Sequence, residues 1–410
     1  MQPGLQTTSN SQYYLDLEER YGAHNYKPLP VVLNKGEGVF LWDVEGNRYY
    51  DFLSGYSAVN QGHCHPAIIA ALIEQVKKLT LTSRAFYNNV LGEYEEYITN
   101  LFGYDKVLPV NTGVEAIETA IKLCRRWGYN IKKIKSGQAK IIVCDGNFHG
   151  RTTTVISFSS DPSAKKNFGP YAPGFINIPY NDLEALKEAL KDEDVAGFLV
   201  EPIQGEAGVI VPDQGYLNNA KSYCEDAHVL FMADEIQTGL CRTGKLLACD
   251  YEDVRPDVLI LGKALSGGTM PVSAVLADNE IMMTIKAGEH GSTYGGNPLA
   301  AAVGIASIHV LLGEKMAENA FVMGEYFRQE LKKLKSEFIP VIRGKGLMNA
   351  IVIQHEDSTA PDRLCMLLKE NGLLAKATHG NKIRLTPPLM ITGSQVNECV
   401  DIIGKSLAML

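Results

Sequence analysis

The stretch "DVLILGKALSGG", residues 257–268, is a buried-strand pattern that ends in a charge. Its four apolar residues, Val258–Leu261, predict a strand buried on both faces, and Lys263 follows two residues later between Gly262 and Ala264. A lysine in this position either extends its ammonium to water or is kept from water. In the second case its pKa falls and its amine becomes a nucleophile.

Further apolar runs alternate with helical patterns through the middle of the chain. The runs are "KIIVC" (140–144), "VAGFLVEP" (195–202) and "HVLFMAD" (228–234). The helical periodicities lie near residues 66–78, 90–102, 114–127, 182–191 and 216–227. This alternation predicts an α/β fold, with a mostly parallel sheet covered by helices on both faces.

The two ends of the chain carry other patterns. Residues 30–54, "PVVLNKGEGVFLWDVEGNRYYDFLS", predict a small antiparallel meander. Beyond Gly313 the pattern predicts a helix, short strands around 340–353, a helix near 361–371, a strand at 381–388 and a final helix, which together make an α+β unit. We expect residues 61–313 to form a large domain, and residues 1–60 and 314–410 a smaller one.

Composition limits the classes of function. The chain has 410 residues, of which 45% are hydrophobic and 21% charged, as in an ordinary globular protein. Its net charge of -8 argues against a nucleic-acid or anionic-membrane partner. The uncharged residues 291–313 are interrupted by glycine, proline and asparagine, so a buried helix is favoured over a membrane span. The first twelve residues lack the features of a presequence, and we expect a cytoplasmic protein.

The eight cysteines predict neither a disulfide framework nor a metal site. They are scattered, without a C-x-x-C pair or zinc-type spacing, which suits a reducing compartment. The cluster "GHCHP" places His63 and His65 together, but further metal ligands are missing nearby. A structural loop is therefore the preferred interpretation, and no metal is expected.

Asp234 supplies a second charge at the end of an apolar run. The carboxyl ends of parallel strands meet at one edge of a sheet, where ligands bind, so Asp234 and Lys263 should share that edge. A buried carboxylate needs a cationic or hydrogen-bonding partner, and a protonated pyridine nitrogen is both. An amine that binds an aldehyde and an acid on a pyridine ring would suit pyridoxal phosphate. On these two residues alone, an ordinary salt bridge between strands stays open.

A phosphate site is suggested by "NTGVEAIETAIKLCRRW", residues 111–127. Thr112 and Glu115 have the spacing of a capping box, and Gly113 lets a ligand approach the backbone. The exposed N–H groups of such a helix end favour a phosphate, although a plain helix start has the same pattern. The G-x-G-x-x-G motif of dinucleotide sites does not follow the preceding strand.

Two loops add polar and aromatic groups. "GNFHGRT", residues 146–152, places Phe148 and Arg151 after a strand, suitable for stacking on a ring and for binding a carboxylate; Phe148 alone would equally suit the core. "EHGSTYGGNP", residues 289–298, offers the hydroxyls of Ser292 and Thr293 to phosphate oxygens.

Two of these stretches carry a resemblance to a known family. "MADEIQTGLCRTGK" (232–245) and "PDVLILGKALSGG" (256–268) resemble the signature of class III (subgroup II) aminotransferases, fold type I enzymes that use pyridoxal phosphate. The resemblance is closest to the ornithine aminotransferases, and runs from Tyr21 to the C terminus. It is carried by "YGAHNYKPLPVVL", "YYDFLSGYSAVNQGHCHP", "LPVNTGVEAIETAIK", "GNFHGRT", "VEPIQGEAGV", "GSTYGGNPLA" and "IRLTPPLMI". It implies a mostly parallel seven-stranded sheet flanked by helices, with a smaller α+β domain from both chain ends.

The resemblance also implies roles for cofactor-binding residues. Lys263 would be the Schiff-base lysine and proton shuttle, and Asp234 the partner of the pyridine nitrogen. The other implied contacts are Gln237 at the ring hydroxyl, Phe148 on the ring face, and Thr112, Gly113, Val114, Ser292 and Thr293 around the phosphate. Thr293 would come from a second subunit, which implies an obligate homodimer.

The implied reaction moves the δ-amino group of L-ornithine to 2-oxoglutarate. Its products are glutamate and glutamate 5-semialdehyde, which cyclises to pyrroline-5-carboxylate, in proline biosynthesis and arginine metabolism. Arg151 would bind the α-carboxylate of ornithine, with Tyr26 and Tyr56 shaping the pocket. Glu206 would pair with Arg384 during the ornithine half-reaction and move away when 2-oxoglutarate needs that arginine. A static salt bridge between Glu206 and Arg384 is the alternative.

Other functions stay open at this point. A related aminotransferase acting on N-acetylornithine or 4-aminobutyrate would keep Lys263, Asp234 and the phosphate site, whereas Tyr26, Tyr56 and "NQGHCHP" favour ornithine. A non-catalytic binding protein could keep the fold, but it would not need the intact lysine, acid and arginines.

Overall fold

The computed structural model describes residues 11–378 and 380–410. Its strands are β1 (Leu33–Glu37), β2 (Phe40–Asp43), β3 (Arg48–Asp51), β4 (Lys106–Val110), β5 (Lys140–Cys144), β6 (Phe175–Ile178), β7 (Val195–Val200), β8 (Leu230–Asp234), β9 (Val258–Leu261), β10 (Ser273–Ala277), β11 (Val341–Lys345), β12 (Met348–Val352), β13 (Leu373–Leu374), β14 (Lys376–Thr378) and β15 (Lys382–Leu385).

The α-helices alternate with these strands through the middle of the chain. They are α1 (Ser11–Tyr21), α2 (Pro66–Val76), α3 (Leu91–Phe102), α4 (Gly113–Asn130), α5 (Thr153–Ser157), α6 (Pro162–Lys165), α7 (Leu183–Ala189), α8 (Tyr216–Asp226), α9 (Asn279–Met282), α10 (Pro298–Gly313), α11 (Met316–Lys333), α12 (Ala360–Glu370) and α13 (Gly393–Leu407). Two 3-10 helices, Ala248–Tyr251 and Lys263–Ser266, and one left-handed turn, Ser54–Ser57, complete the described elements.

A seven-stranded sheet forms the centre of the molecule, in the order β4-β10-β9-β8-β7-β5-β6. Strand β10 runs antiparallel to β4 and β9, and the other neighbouring pairs are parallel. Every residue of β7, β8 and β9 is buried, because α4 packs on one face of the sheet and α8 on the other. The predicted α/β architecture is confirmed.

The ends of the chain build two smaller sheets. The N-terminal meander, β1-β2-β3, is antiparallel as predicted, and the C-terminal strand β13 extends it by pairing parallel to β3. The second sheet is antiparallel in the order β11-β12-β15-β14. The boundaries after residues 60 and 313 stay a prediction.

The uncharged segment near residue 300 forms α10, whose side chains Val303, Ile308 and Leu311 lie in the core. Among the described helices, none alone is long and apolar enough to cross a membrane. One pair, Pro298–Gly313 with Met316–Lys333, reaches that length and composition together but is bent by 57°.

The cysteines and the two histidines of the "GHCHP" cluster take structural positions. All eight cysteines are free thiols, and all but Cys64 are buried. His63 is bonded to Asp51 at 2.7 Å and His65 to Glu314 at 2.9 Å. Over residues 11–378 and 380–410, His, Cys, Asp and Glu nowhere cluster in threes that could hold a metal ion.

Candidate active site

The carboxyl edge of the large sheet encloses a cavity of about 220 Å³. It contains six of the predicted cofactor-binding residues, which come from four separate segments of the chain. Its lining is Gly113, Val114, Phe148, His149, Gly150, Glu201, Asp234, Ile236, Gln237, Thr238 and Lys263. The parallel strands deliver these residues to one edge, as expected for ligand sites in open α/β sheets.

Lys263 enters this cavity directly after β9. It begins a 3-10 helix with a φ of 45°, a left-handed conformation that is uncommon for a residue other than glycine. Burial lowers the pKa of Lys263; the carboxylates of Asp234, Glu206 and Glu201 oppose this shift without cancelling it. A larger share of the amine is therefore neutral, as a nucleophile and proton acceptor requires.

Asp234 ends β8 and forms a buried pair with His149. Nδ1 of His149 donates to Oδ2 of Asp234 at 2.6 Å, and the amide of Ile236 donates to Oδ1 at 3.1 Å. Burial lowers the pKa of His149, but the hydrogen bond and charge of Asp234 outweigh it and the net pKa is raised. The two hydrogen bonds hold the Asp234 carboxyl in a fixed orientation at the cavity.

Glu201 is a second buried carboxyl at the cavity. It accepts hydrogen bonds from the amide of Phe148 at 2.8 Å and from that of Gly205 at 3.1 Å. Burial raises the pKa of Glu201 to about 7, while His149 lowers it and Asp234 raises it further. These bonds fix the loop that carries Phe148.

Neither His149 nor Glu201 was among the predicted site residues. Their signals were available in the sequence. Glu201 directly follows the apolar run of β7, and His149 stands between Phe148 and Arg151 in the "GNFHGRT" loop.

The start of α4 has the geometry of an anion site. Thr112 and Glu115 form the predicted capping box, since the hydroxyl of Thr112 accepts from the amide of Glu115 at 3.3 Å. Gly150 has a φ of 122°, and a Cβ there would lie 2.4 Å from the side chain of Val114, so only glycine allows this close approach. The first amides of the helix thus face the cavity beside a closely packed backbone.

The two predicted hydroxyl residues near residue 292 differ in position. Ser292 lies at the start of α4, where its Oγ accepts from Asn111 Nδ2 at 3.2 Å. Thr293 is exposed and does not line the cavity of its own chain.

Tyr56 lies near the other predicted substrate-binding residues. The guanidinium carbon of Arg384 lies 4.8 Å from the centre of its ring. Burial raises the pKa of Tyr56, and the charges of Arg384, Glu206, Tyr26 and Arg151 all act on it. Of the four, Arg384 has a direct contact with the ring, Glu206 is bonded to Arg384, and Tyr26, 69% exposed, and Arg151 are exposed side chains near it.

Arg384 and Glu206 form an ion pair, as predicted. Nη1 of Arg384 donates to Oε1 of Glu206 at 2.6 Å, while Nε of Arg384 is buried without a hydrogen-bond partner. The side chain of Arg384 is 4% exposed and that of Glu206 is 17% exposed. Arg384 keeps an unused donor for a second acceptor, such as a substrate carboxylate.

The cavity has the donor set that pyridoxal phosphate requires. It combines a lysine of lowered pKa, an aspartate bonded to a buried histidine, an aromatic ring and helix amides. Nε2 of His149 is buried without a partner, and a Cβ at Gly205 would lie 2.0 Å from Oε1 of Gln237. The unpartnered Nε2 is a polar group left for a ligand, and Gly205 leaves the space that Gln237 needs. Both features indicate a site shaped around a polar ring ligand.

Comparisons with known proteins agree with this geometry. Residues 21–407 match the family model "Aminotransferase class-III". The chain is 61% identical over 398 residues to "Ornithine aminotransferase, mitochondrial" of Rattus norvegicus, an alignment that covers 97% of this chain and 91% of the relative.

Two solved structures are also similar. One is the ornithine aminotransferase of Toxoplasma gondii, which is described with partial occupancy of PLP at its active site; it has a TM-score of 0.96 and 48% identity and covers 98% of this chain and 95% of that one. The other is the acetylornithine aminotransferase of Elizabethkingia anophelis. It has a TM-score of 0.90 and 57% identity, and the match covers 98% of this chain and 100% of that one.

These comparisons correct one expectation. The predicted cytoplasmic location is wrong, because relatives that are 61% identical to the chain are named as mitochondrial proteins. The composition of the first residues was the wrong guide to the compartment.

Proposed function

The chain belongs to the class-III aminotransferase family, and on that premise we infer that it is an ornithine aminotransferase. It transfers the δ-amino group of L-ornithine to 2-oxoglutarate and uses pyridoxal 5'-phosphate as its cofactor. The products are glutamate and glutamate 5-semialdehyde, which cyclises to pyrroline-5-carboxylate. Relatives of this name are 56–61% identical over nearly the whole chain.

When bound, the cofactor supplies an aldehyde that takes up an amino group and a ring that draws electrons from the reacting carbon. We propose that Lys263 holds the aldehyde, that Asp234 faces the ring nitrogen, and that the amides of Gly113 and Val114 hold the phosphate. Phe148 would lie on the ring face. The role of Thr112 is to cap α4 and so keep these amides in place.

The remaining chemistry belongs to side chains of this protein. Lys263, once free, takes the proton from the δ-carbon of ornithine through its neutral Nζ. His149 keeps the Asp234 carboxyl oriented during this transfer. Glu201 holds the Phe148 loop through its amide.

The ion pair between Arg384 and Glu206 supports the choice of the δ-amine most directly. If Arg384 were free, it would attract the α-carboxylate and place the α-amine at the cofactor. Glu206 occupies it, so that the carboxylate is left to Arg151 beside Tyr56, and the distal amine reaches Lys263. The second substrate, 2-oxoglutarate, carries two carboxylates and would use both arginines.

A homodimer would complete the phosphate site, and we propose it as the working form. Thr293 is exposed in the single chain, as are the neighbouring Tyr294 (58%) and the aromatic pair Phe86 (73%) and Tyr87 (104%). Exposed aromatic groups of this size are typical of protein interfaces. Light scattering on the purified protein should give twice the chain mass of 44.9 kDa.

Amino-donor preference tests the proposed function. Purified protein with pyridoxal phosphate and 2-oxoglutarate would be given L-ornithine, N-acetylornithine or 4-aminobutyrate, while pyrroline-5-carboxylate is trapped. We expect ornithine to have the highest kcat/KM and to yield the trapped product.

N-acetylornithine is the second candidate donor. It is favoured by the structure of Elizabethkingia anophelis, which is 57% identical and is named acetylornithine aminotransferase. A higher kcat/KM for N-acetylornithine than for ornithine would replace the proposed substrate and leave the cofactor site unchanged.

We also propose a place in proline biosynthesis and arginine metabolism, because the reaction consumes ornithine and yields the precursor of a cyclic imino acid.

A further inference from the structure

One face of the C-terminal sheet presents two arginines toward the candidate active site. Arg343 of β11 is opposite Ala350 of β12, and Ala350 is opposite Arg384 of β15. Side chains opposite one another on neighbouring strands point to the same face, so the two arginines share a face, two strands and roughly 10 Å apart. Ala350 itself packs with Met348, Ile203 and Val209. This face therefore meets the loop that follows β7.

That loop carries Glu206 between two glycines. Residues 205–208 form a tight turn, in which the amide of Gly208 donates to the carbonyl of Gly205 at 3.1 Å. On one side, a Cβ at Gly205 would lie 2.0 Å from Oε1 of Gln237. On the other side, a Cβ at Gly208 would lie 3.2 Å from Nη2 of Arg343. The turn that holds Glu206 is thus packed between the cofactor cavity and Arg343.

Arg343 has one donor satisfied and another unused. Its Nε donates to the carbonyl of Gly208 at 2.8 Å, whereas its Nη2 is buried without a hydrogen-bond partner. Within residues 11–378 and 380–410, Arg343 forms no ion pair. Burial lowers the pKa of Arg343, which is the effect of a guanidinium that lacks a counter-charge.

A buried N–H of a guanidinium, such as Nη2 of the partly buried Arg343, is unfavourable unless an acceptor reaches it, and a carboxylate is its best acceptor. Glu206 is the sole acidic residue in the segment 202–212. It lies two residues before Gly208, whose backbone Arg343 already contacts. A modest rotation of the turn would bring the Glu206 carboxylate from Arg384 toward Arg343.

We propose that Arg343 is the second cationic partner of Glu206, and that it receives the Glu206 carboxylate when a dicarboxylate oxoacid binds Arg384. This inference rests on the proposed function, because it assigns a position to Glu206 in the second half-reaction. Arg343 then acts through Glu206 and does not touch the substrate, so it is a positioning residue. The aliphatic part of Lys382, 2.3 Å from the Cβ position at Gly208, closes the same side of the turn.

The half-reactions separate this role from a general structural one. In the holoenzyme, each half-reaction is measured in a single turnover from the change in absorbance of the cofactor. Arg343→Gln should lower kcat/KM for 2-oxoglutarate about 10-fold, the typical effect of losing one charge-assisted contact. It should change kcat/KM for ornithine less than about 2-fold. Arg343→Lys should restore part of the loss because it keeps the charge.

Lys345→Gln is the matched control. Lys345 lies on the same strand and face, but its ammonium lies 4.0 Å from the ring centre of Tyr251. We expect this variant to behave as the wild type in both half-reactions. An equal loss in both half-reactions of Arg343→Gln would show a structural role and overturn the proposal.

A double-mutant cycle tests the link to Glu206. In the Glu206→Ala background, Arg343→Gln should have no effect on the 2-oxoglutarate half-reaction, since the group that Arg343 receives is gone. A full 10-fold loss in that background would contradict the inference. The cycle starts from the amino-loaded enzyme, so it can be measured whichever amino donor the protein prefers.

Binding of glutarate gives a readout other than turnover. Glutarate has the two carboxylates of the oxoacid but no carbonyl, so it binds without reacting. Calorimetry should show weaker binding to Arg343→Gln than to the wild type, and a crystal structure with glutarate should place the Glu206 carboxylate within hydrogen-bond distance of Arg343. A structure in which Glu206 points to solvent would contradict the proposal.

If the wild type transfers no amine from ornithine but the double-mutant cycle shows coupling between Arg343 and Glu206, the proposed function fails and this inference stands. If ornithine is used and the coupling is absent, the reverse holds. The two claims are therefore tested independently.

Discussion

The two ends of the candidate active site are built differently. At the cofactor end, Asp234 ends one buried parallel strand and Lys263 follows another, and Asp234 is hydrogen-bonded to the buried His149. At the substrate end, Tyr56, Glu206 and Arg151 lie on turns and loops, and Arg384 lies on the smaller C-terminal sheet. Rigid placement suits a cofactor that stays in the site, whereas movable partners suit two substrates that differ in charge and shape.

The largest effect is expected at the cofactor end, from Lys263→Ala. Removing the amine would take away the group that we propose holds the cofactor aldehyde and moves the proton, so turnover should fall at least about 10³-fold. Steady-state rates with ornithine and 2-oxoglutarate measure this. Lys191→Ala, at an exposed lysine bonded to Glu188, is the control and should leave the rate unchanged. Near-normal turnover in Lys263→Ala would remove Lys263 from the mechanism.

Asp234→Asn should have the next largest effect, a loss of about 10²-fold in kcat. The amide is nearly isosteric but carries no charge for the ring nitrogen or for His149. Steady-state kinetics and the absorbance of the bound cofactor would both report the change. The exposed Asp213→Asn is the control variant. A variant with unchanged kcat and spectrum would show that Asp234 serves only to hold His149.

The pH dependence of stability probes the buried charges of the same end. Burial raises the pKa of Glu201 from its ordinary value of 4.5 to about 7, so the folded state keeps this proton over a range in which the unfolded chain has lost it. The free energy of unfolding therefore falls as pH rises from about 4.5 to 7, by about 2–3 kcal/mol for this group. Urea unfolding at pH 5 and 7.5 measures the slope.

Glu201→Gln should make that slope smaller without removing it. Glu235 has its pKa raised by burial to about 7 as well and keeps its contribution in the variant. Identical slopes in Glu201→Gln and the wild type would show that Glu201 does not titrate in this range.

The smallest effect is expected at the substrate end, from Glu206→Ala. With Arg384 freed, donors that place an α-carboxylate there should improve, so the ratio of kcat/KM for glutamate to that for ornithine should rise about 10-fold. Initial rates with the two donors give this ratio. Glu184→Ala, at an exposed glutamate bonded to Lys187, is the control. An unchanged ratio would leave the gating role of Glu206 without support.

The cofactor end could be predicted from the sequence because its residues follow recognisable strands. Lys263, Asp234 and the Thr112 capping box are set by local patterns, and the α/β architecture follows from the alternation of strands and helices. His149 and Glu201 were missed although Glu201 directly follows β7 and His149 lies in the "GNFHGRT" loop, because these positions alone do not show which group each side chain will meet. Phe148, which Glu201 meets, is 53 residues away, and Asp234, which His149 meets, is 85 residues away.

The substrate end depends on tertiary contacts that no local pattern encodes. Tyr56 lies in a turn whose residues 54–57 all have positive φ, from 48° to 71°. Asp51 stabilises this strained turn, because its carboxylate accepts hydrogen bonds from the amides of Leu53 and Ser54 at 2.8 and 2.9 Å. The pairing of β13 with β3, by contrast, joins Leu373 to Tyr50 from opposite ends of the chain. The roles of Tyr26, Glu206 and Arg384 came from family resemblance alone, whereas the loop of Arg151 had already suggested a carboxylate site.

The most direct test of the account is to identify which amine of ornithine the wild-type enzyme transfers. Loss of the δ-amine gives pyrroline-5-carboxylate, whereas loss of the α-amine gives 5-amino-2-oxopentanoate, which cyclises to pyrroline-2-carboxylate. Mass spectrometry and NMR of the trapped products distinguish the two rings. With Glu206 on Arg384 at 2.6 Å, we expect pyrroline-5-carboxylate as the dominant product. A majority of pyrroline-2-carboxylate would contradict the proposed arrangement of the substrate end.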